Sequence, residues 1–423
     1  MQTTIAPALA DDSRAAAAEK ILRKCVHCGF CLATCPTYNL LGNELDSPRG
    51  RIYLIKQVVE GHAPSASTRT HLDRCLTCRS CETTCPSGVQ YGHLLDLGRD
   101  LVEEQLPRSG RDYWMRKAVL NVLPYARRIG PLVRLGQALR PLLPGRLAGS
   151  VPPRQLPRQL PGQLPGARPQ QEMHRQMLVL DGCVQPSMTP ATNVSAARVL
   201  AAFGISLKTA ERSGCCGAVH YHLNEQAQAK DFMRRNIDTW WPSIESGCEA
   251  IITTASGCGV MVKDYAQVLA DDPDYADKAR RVSSLCKDIV EVLVEVLQQE
   301  DLSRYRARAS AMGRIAFHAP CTLQHGQKLP LVTETLLGRF GFMLTQVADA
   351  YSCCGSAGTY SIFQPELSQQ LRTRKIENLT AGQPDIIATA NIGCQLHIQT
   401  GSGRAVVHWI ELVDSLVNDD ASP

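Results

Sequence analysis

The 423-residue chain has few aromatic side chains and no long apolar run. Phe, Trp and Tyr make up only 5% of its residues, which argues against an aromatic-rich binding surface. The most apolar stretch, 289–297, is interrupted by Glu291 and Glu295, so the sequence predicts no membrane-spanning helix. The net charge is only +5, with no long run of one sign, and this gives no support for binding to nucleic acid.

The first 20 residues lack the basic start and apolar centre of a secretory signal. We therefore expect a cytoplasmic protein with reduced thiols. The chain has 18 cysteines, and in a long cytoplasmic chain such clustered thiols favour metal or redox sites over a disulfide framework.

The first eight cysteines form two copies of the pattern C-x2-C-x2-C-x3-C-P. Their positions are Cys25, Cys28, Cys31 and Cys35 before Pro36, and Cys75, Cys78, Cys81 and Cys85 before Pro86. Three cysteines at steps of three can wind around one cluster, whereas the proline forces an extended exit that sends the fourth cysteine to the other cluster. The pattern therefore predicts two [4Fe–4S] clusters with crossed ligands.

This crossing assigns the eight thiols to two ligand sets. Cluster one takes Cys25, Cys28, Cys31 and Cys85, and cluster two takes Cys75, Cys78, Cys81 and Cys35. The alternative of two structural zinc sites is disfavoured, because zinc sites usually use paired CxxC knuckles. We interpret His27, inside the first loop, as a solvent-side or packing residue and not as a ligand, because the cysteines fill the four ligand positions.

The remainder of the chain contains a duplication. Cys183 to Cys215 and Cys321 to Cys353 are both 32 positions apart, and both second members begin Cys-Cys-Gly. Apolar runs at 176–180, 250–254, 314–317 and 385–389 predict buried strands, and 193–203 and 332–340 predict helices.

These patterns predict a mixed α+β and α/β protein. A helical ferredoxin-type domain with two clusters precedes two α/β halves related by pseudo-two-fold symmetry. The Pro- and Gln-rich repeat near the middle of the chain predicts an extended or mobile spacer. The predicted divisions are the ferredoxin-type domain 1–106, a basic helical connector 107–146, the linker 147–172, and the halves 173–300 and 301–423.

Each half contributes four cysteines at strand ends or glycine turns. They are Cys183, Cys215, Cys216 and Cys258 in the first half, and Cys321, Cys353, Cys354 and Cys394 in the second. A further iron–sulfur cluster, zinc, or a metal-free redox-active thiol site all remain open. We expect the two sets of loops to face each other and to pool all eight thiols at one interface.

Other residues near these cysteines have simpler interpretations. Histidines lie close to the cysteines of both halves, where a hydrogen-bonded role is favoured over that of a ligand or proton relay; they are His220, His222, His318 and His325. Cys248 and Cys286 fall outside both repeats and are interpreted as buried packing residues.

Longer segments indicate a family. The chain resembles the glycolate oxidase iron–sulfur subunits over nearly its whole length. The segments that carry the resemblance include CVHCGFCLATCPTYNLLGNELDSPRGRIYLIKQVVEG, HLDRCLTCRSCETTCPSGV, GCCGAVHYHLN, CTLQHGQKL, CCGSAGTY and HWIELV. In related CCG domains the repeat ends in CxxC, whereas here Ala255 and Asn391 replace the first cysteine of that ending.

The resemblance implies an electron-transfer subunit. A separate FAD-binding subunit would oxidise glycolate to glyoxylate, and this chain would pass the electrons to a quinone or another membrane acceptor. No catalytic residue is expected here, and no Gly-rich phosphate loop for a flavin is found in the sequence. Alternatives are an iron–sulfur subunit for lactate or glycerol 3-phosphate oxidation, a heterodisulfide-reductase-like thiol protein, and a zinc-stabilised scaffold.

The stretch 108–146 alternates basic and apolar residues. It contains nine Lys or Arg and one acid, Asp112. Such a segment can lie on the inner face of the cytoplasmic membrane, dock on a partner or cover the protein's own core, and these interpretations remain open.

Overall fold

The computed structural model describes residues 1–142 and 175–418. A helical N-terminal part is followed by two α/β halves, each built on a four-stranded parallel sheet. This architecture confirms the predicted fold class. The predicted linker 147–172 lies outside the described residues.

The N-terminal part consists of short helices around two cysteine loops. Its helices are α1 (Ser13–Leu22), α2 (Pro36–Leu41), α3 (Pro48–Val59), α4 (Ala66–Asp73), α5 (Ser80–Thr84) and α6 (Tyr91–Gln105). Proline begins α2 and α3, where its missing N–H would have no helical partner. The helices α1, α3 and α6 pack together through fully buried side chains that include Leu22, Ile55 and Leu94. This core fixes the ends of both loops.

Two helices, α7 (Gly110–Val122) and α8 (Ala126–Leu139), occupy most of the predicted basic connector. Arg108, just before α7, forms ion pairs with Asp73 at 2.8 Å and with Glu103 at 2.7 Å. These pairs join the connector to the helices of the N-terminal part. On α8, Leu132 and Leu135 are more than half exposed.

The two sheets have the same topology. The strand order is β2-β1-β3-β4 in the first half and β6-β5-β7-β8 in the second, and all neighbours are parallel. The identical order confirms the internal duplication. The strands are β1 (Arg175–Val179), β2 (Ile205–Thr209), β3 (Ile251–Thr253), β4 (Cys286–Asp288), β5 (Arg314–His318), β6 (Met343–Leu344), β7 (Ile386–Thr389) and β8 (Val406–His408).

Helices connect the parallel strands and cover both faces of each sheet. In the first half they are α9 (Gln185–Met188), α10 (Ala191–Ala202), α11 (Ala218–His222), α12 (Gln226–Glu245), α13 (Ser256–Lys263), α14 (Tyr265–Val268), α15 (Ala276–Leu285) and α16 (Ile289–Val296). In the second half they are α17 (Arg306–Ala311), α18 (Val332–Phe340), α19 (Tyr360–Phe363), α20 (Pro365–Thr380), α21 (Ile392–Ser402) and α22 (Trp409–Asn418).

The halves exchange their terminal helices. The helix α10 of the first half packs on α22 of the second, and α16 of the first packs on α18 of the second. Ser195 Oγ and Arg198 Nε, both on α10, each donate to Asp414 on α22 at 2.8 Å. Leu293 and Trp409 belong to one apolar core shared by both halves. This reciprocal packing is the pseudo-two-fold relation expected from the repeat.

Candidate metal centres

The two N-terminal cysteine loops have matching backbone conformations. His27 and Gly29 in the first loop, and Thr77 and Arg79 in the second, have positive φ values between 53° and 85°. Alternating right- and left-handed residues turn successive N–H groups to one side and form a concave anion site. Both loops are therefore shaped for a negatively charged metal–sulfur group.

A cavity at the surface is lined by thiols from both loops. They are Cys25, Cys28, Cys31, Cys81 and Cys85. Cys28 is exposed, and the neighbouring Val26 and Phe30 are 68% and 62% exposed. A cluster bound in this cavity would lie within reach of an external redox partner.

A second cavity lies deeper in the N-terminal part. Its thiols are Cys35, Cys75, Cys78 and Cys81, all buried. Each fourth cysteine therefore lies beside the opposite loop, because Cys35 shares this cavity with Cys75 whereas Cys85 shares the first cavity with Cys25. Cys81 lines both cavities.

Two polar side chains that sequence analysis missed surround the second cavity. Arg51 is fully buried and donates to the carbonyl of His71 at 2.7 Å and to Thr37 Oγ1 at 3.1 Å. The Tyr91 hydroxyl donates to Cys75 Sγ at 3.6 Å. A buried cation and a hydrogen bond to a thiolate both stabilise the negative charge that a cluster gains on reduction.

The thiol donors of these cavities fit iron–sulfur clusters. Burial raises the pKa of Cys31 to about 11 and the pKa values of Cys78 and Cys81 well above the ordinary thiol range. These three thiols are thus protonated without metal, and cluster binding must release their protons. Four thiols converging on one cavity are the ligand set that such clusters use.

The four thiols of the first half form a chain of contacts that follows their order in the sequence. Interactions with the neighbouring thiols of Cys183 and Cys216 lower the pKa of Cys215 well below the ordinary thiol value. The same contacts and burial raise the pKa values of Cys183 and Cys216. Cys258, in the first turn of α13, adjoins Cys216.

The thiols of the second half form a group with a histidine. Cys321 donates to Cys353 Sγ at 3.8 Å. One ring nitrogen of His318 and the sulfur atoms of Cys354 and Cys394 all lie within 4.8 Å of one another. Asn391, which stands where related domains have cysteine, donates to Cys394 Sγ at 3.5 Å.

The expected pooling of eight thiols at one interface is not what the structure shows. Thiol–thiol contacts among the described residues of the two halves run within each half. The halves instead meet beside these groups, where Ser256 Oγ contacts Thr322 Oγ1 at 2.7 Å and the Gly257 N–H donates to Asn391. The physical reason is that the helical N-terminal part contacts the two halves unequally, the first half at Asp264 and the second at Cys321 and His325.

The second half lies against the second cavity. Cys78 shares a buried apolar cluster with Cys321 and Cys353, and the charge of Cys321 adds to burial in raising the pKa of Cys78. Thr83 Oγ1 and His325 Nδ1 are 3.0 Å apart at the same junction. A cluster held in the second cavity would therefore have thiols of the second half as immediate neighbours.

The first half contacts the same region through charged groups. Arg79, between two cysteines of the second loop, forms an ion pair with Asp264. His222 Nδ1 lies 3.0 Å from Asp96 Oδ1, and the second carboxylate oxygen of Asp96 is buried and has no partner within the described residues.

The remaining residues that the sequence singled out lie in ordinary packing environments. His27 lines the first cavity, and His220 stacks against Phe232 with ring centres 4.9 Å apart. Cys248 and Cys286 are buried and donate to backbone carbonyls, which confirms their interpretation as packing residues.

Known families match these parts of the chain. The family described as 4Fe-4S dicluster domain matches residues 21–89, and the cysteine-rich domain family matches residues 177–263 and 315–399. The chain is thus an iron–sulfur protein in which a dicluster ferredoxin-type domain precedes a duplicated cysteine-rich domain.

Full-length relatives are more specific. The chain is 50% identical to the glycolate oxidase iron-sulfur subunit of Escherichia coli (strain K12), over 99% of this chain and all of that protein. It is 32% identical, over 94% of this chain and 93% of the relative, to a Bacillus subtilis protein described as "Probable glycolate oxidase iron-sulfur subunit". Lactate utilization protein A of Geobacillus thermodenitrificans is 28% identical over 53% of this chain and 92% of its own length. The chain belongs to the family of glycolate oxidase iron–sulfur subunits.

The hydrocarbon core of a bilayer is about 30 Å thick. Within 1–142 and 175–418, none of the helices combines the length and apolar character needed to cross it.

Proposed function

We propose that this chain is the electron-transfer subunit of a complex that oxidises glycolate to glyoxylate. Family membership supports the substrate, and the arrangement of the two thiol cavities supports the role. The first cavity reaches the surface at Cys28, and the second is buried beside Cys321. Two such centres in series provide a route for single electrons from a partner into the second half.

The crossed sets inferred from sequence are the ligands in this proposal. Cys25, Cys28, Cys31 and Cys85 hold the surface cluster, and Cys35, Cys75, Cys78 and Cys81 hold the buried one. The shared cavity of Cys85 with Cys25 supports this assignment. When bound, the clusters supply one-electron transfer, while the chain's residues orient them, exclude water and stabilise their charge.

Replacement of Cys85 by serine tests the ligand assignment. The change should perturb the EPR signal of the surface cluster and leave that of the buried cluster unchanged, although Cys85 belongs to the second sequence motif. Cys35→Ser should give the opposite pattern. If each change affected only the cluster of its own motif, the crossing would be wrong.

The flavin belongs to a partner subunit in this proposal. Glycolate loses two electrons and two protons at that subunit, and the electrons enter this chain one at a time. Val26 and Phe30 form an exposed apolar surface beside Cys28, which suits contact with another protein. We assign the docking of the FAD-binding subunit to this surface.

A charge placed on this surface tests the docking. In the co-purified complex, Phe30→Glu should slow glycolate-dependent reduction of the clusters while dithionite still reduces them. Trp114→Glu, at another exposed aromatic residue, is the matched control and should have no effect. Equal rates in Phe30→Glu and the unmodified complex would refute the assignment.

The acceptor in this proposal is a quinone or another membrane carrier, reached from the cytoplasmic side. Exposed Leu132, Leu135 and Leu139 on α8, with Arg127 and Arg134 on the same helix, support contact with an anionic membrane surface. The full chain should sediment with vesicles that contain anionic lipid, and the Leu132→Glu/Leu135→Glu variant should not. Equal sedimentation of both would exclude α8 as the contact.

Lactate is the second candidate substrate. It is favoured by the match to Lactate utilization protein A, which extends over about half of this chain. Reduction of the clusters in the co-purified complex by glycolate, but not by lactate at the same concentration, is the expected result. If lactate reduced the clusters and glycolate did not, the chain would be assigned to lactate oxidation.

A further inference from the structure

The second cysteine-rich half contains a buried histidine that forms a group of three possible metal ligands with two thiols. A buried ring nitrogen of His220 in the first half also has no partner within the described residues, but His220 belongs to no such group. His318 is the last residue of β5 and is 2% exposed. Within the described residues, its Nε2 atom is buried and has no hydrogen-bond partner. An unpaired polar atom in the interior is costly unless another group binds it.

The nearest groups to this imidazole are thiols. A ring nitrogen of His318 lies within 4.8 Å of both Cys354 Sγ and Cys394 Sγ, which also lie within that distance of each other. Cys353 adjoins Cys354 and lies 3.8 Å from Cys321. One imidazole and four thiols therefore converge in one buried region.

The first half lacks this imidazole. His318 precedes Cys321 by three residues, and the residue three before Cys183 is Leu180, which is also buried. The strand registers agree with this match, because Leu178 pairs with Ile251 in β3, and Ala316 pairs with Ile387 at the corresponding place in β7. The two halves thus share the thiols and differ at this position, which is apolar in the first half and an imidazole in the second.

A second matched position carries a charge only in the second half. Lys375 follows Ser368 by seven residues, as Asn236 follows Ala229, and Ser368 and Ala229 make the same contact with Gly355 and Gly217. The Lys375 ammonium is buried beside Cys353 and Cys354 and donates to the Asp349 carbonyl at 2.8 Å. A buried cation at this place offsets the charge of thiolates.

We propose that the second half binds an iron–sulfur cluster in which His318 is a ligand beside Cys354 and Cys394. Five soft donors exceed the four positions of a tetrahedral zinc site, and imidazole can replace thiolate on the iron of a cluster. Cys321 and Cys353 complete the donor set on the side that faces Cys78. This assignment does not depend on whether the complex oxidises glycolate or lactate.

Pulsed EPR of the full chain tests the assignment. The protein is purified without oxygen, labelled with ¹⁵N-histidine and poised over a range of potentials. We expect a signal beyond those of the two ferredoxin-type clusters, with strong coupling to a histidine nitrogen. Iron and sulfide should both exceed about eight per chain, the content of two [4Fe–4S] clusters.

Two variants distinguish His318 from its neighbour His325. His318→Leu, which copies Leu180, should abolish the nitrogen coupling. His325→Leu should retain it, because both ring nitrogens of His325 already lie within hydrogen-bond distance of Thr83 and the Tyr351 carbonyl. The ferredoxin-type signals and circular dichroism show whether each variant is folded, and His318→Cys, which keeps a ligand, should retain the iron while losing the coupling.

Three results would overturn the proposal. They are the absence of histidine coupling in the unmodified chain at every potential, persistence of the coupling in His318→Leu, and one zinc per chain at this site in place of additional iron.

Discussion

The two cysteine-rich halves have the same strand order and the same spacing of their first three cysteines, but differ around their thiols. Leu180 in the first half corresponds to His318 in the second, and Asn236 corresponds to Lys375. Asn236 is neutral and donates to the Cys215 carbonyl at 2.9 Å, whereas Lys375 places a charge beside thiols. The half with the imidazole and the cation is also the half that adjoins Cys78.

This difference shows what duplication preserves and what contact with a third domain changes. Both copies keep the strand order and the spacing of the first three cysteines. The charge and the donor types depend on what each thiol group faces. The first half contacts the second cysteine loop through the ion pair of Arg79 with Asp264, and the second half contacts it through thiols.

The largest expected effect separates the two thiol groups. Cys354→Ala should lower glycolate-dependent reduction of the final acceptor about a hundredfold, equivalent to ~2.7 kcal/mol of activation free energy, because it removes a donor on the electron path. Cys216→Ala, at the matched position, should change this rate less than about twofold. Steady-state rates of the co-purified complex measure both, and equal losses would mean that the halves act as one site.

The helix caps of the two halves have opposite pH dependence. Burial raises the pKa of Asp288 to about 7 and lowers the pKa of His408 to about 4. Asp288 accepts from Gln327 of the other half, and His408 lies 2.8 Å from the Thr254 carbonyl, also across the interface. Between about pH 4 and 7 the folded chain retains the Asp288 proton that the unfolded chain releases, so this group lowers stability as pH rises. Below about pH 6.5 the unfolded chain protonates His408 while the folded chain does not, so this group raises stability as pH rises from 4.

Single substitutions should reveal how each group changes the unfolding free energy with pH. With Asp288→Asn, stability should increase from pH 4.5 to 6.5, and with His408→Asn it should decrease, each by on the order of 2 kcal/mol relative to the unmodified chain. Unfolding midpoints measured without oxygen across this range are the readout. Identical profiles for both variants would show that these caps do not control the pH dependence.

A smaller effect compares how the halves are attached to the second cysteine loop. Asp264→Asn leaves the Arg79 charge largely buried and should cost about 2 kcal/mol of unfolding free energy, below the range for a fully buried pair. His325→Ala removes a neutral contact to Thr83 and should cost about 1 kcal/mol. Denaturant titration monitors both variants, and a larger loss for His325→Ala would reverse the comparison.

The smallest effect concerns the buried cation. Lys375→Met should lower the midpoint potential of the centre in the second half by about 60 mV, a tenfold change for one electron, because the reduced form loses a nearby positive charge. Lys328→Met, at an exposed lysine of the same half, should leave the potential unchanged. A redox titration monitored by EPR measures the midpoint potential of each variant. Equal potentials in the two variants would contradict the expectation.

Sequence patterns predicted those strands that have long apolar runs. The runs before Cys183 and Cys321 correspond to β1 and β5, and the runs at 250–254 and 385–389 correspond to β3 and β7. The other strands were not predicted, because they are short and polar or semi-polar; β4 contains only Cys-Lys-Asp and β6 only Met-Leu. The predicted domain limits and the crossed ligands stay predictions.

The site was less predictable where its residues do not belong to a repeated sequence motif. The repeated cysteines can be recognised in the sequence by their spacing. Arg51 and Tyr91 cannot be recognised in this way, because they approach the second cavity from separate helices. The expected pool of eight thiols was wrong because equal spacing in two halves contains no information about a third part of the chain that contacts them unequally. His318 was noted beside Cys321, but only the structure shows its unpaired nitrogen.

The exchange of terminal helices has a consequence for assembly. Each half relies on the other to cover an apolar helix face, since α10 needs α22 and α18 needs α16. One half produced alone would expose that face and would bury it by pairing with an identical copy through the same contacts in a closed, two-fold manner. The single chain thus has the architecture of a homodimer joined end to end, and the covalent link lets matched positions of the two halves hold different side chains, Leu180 against His318 and Asn236 against Lys375.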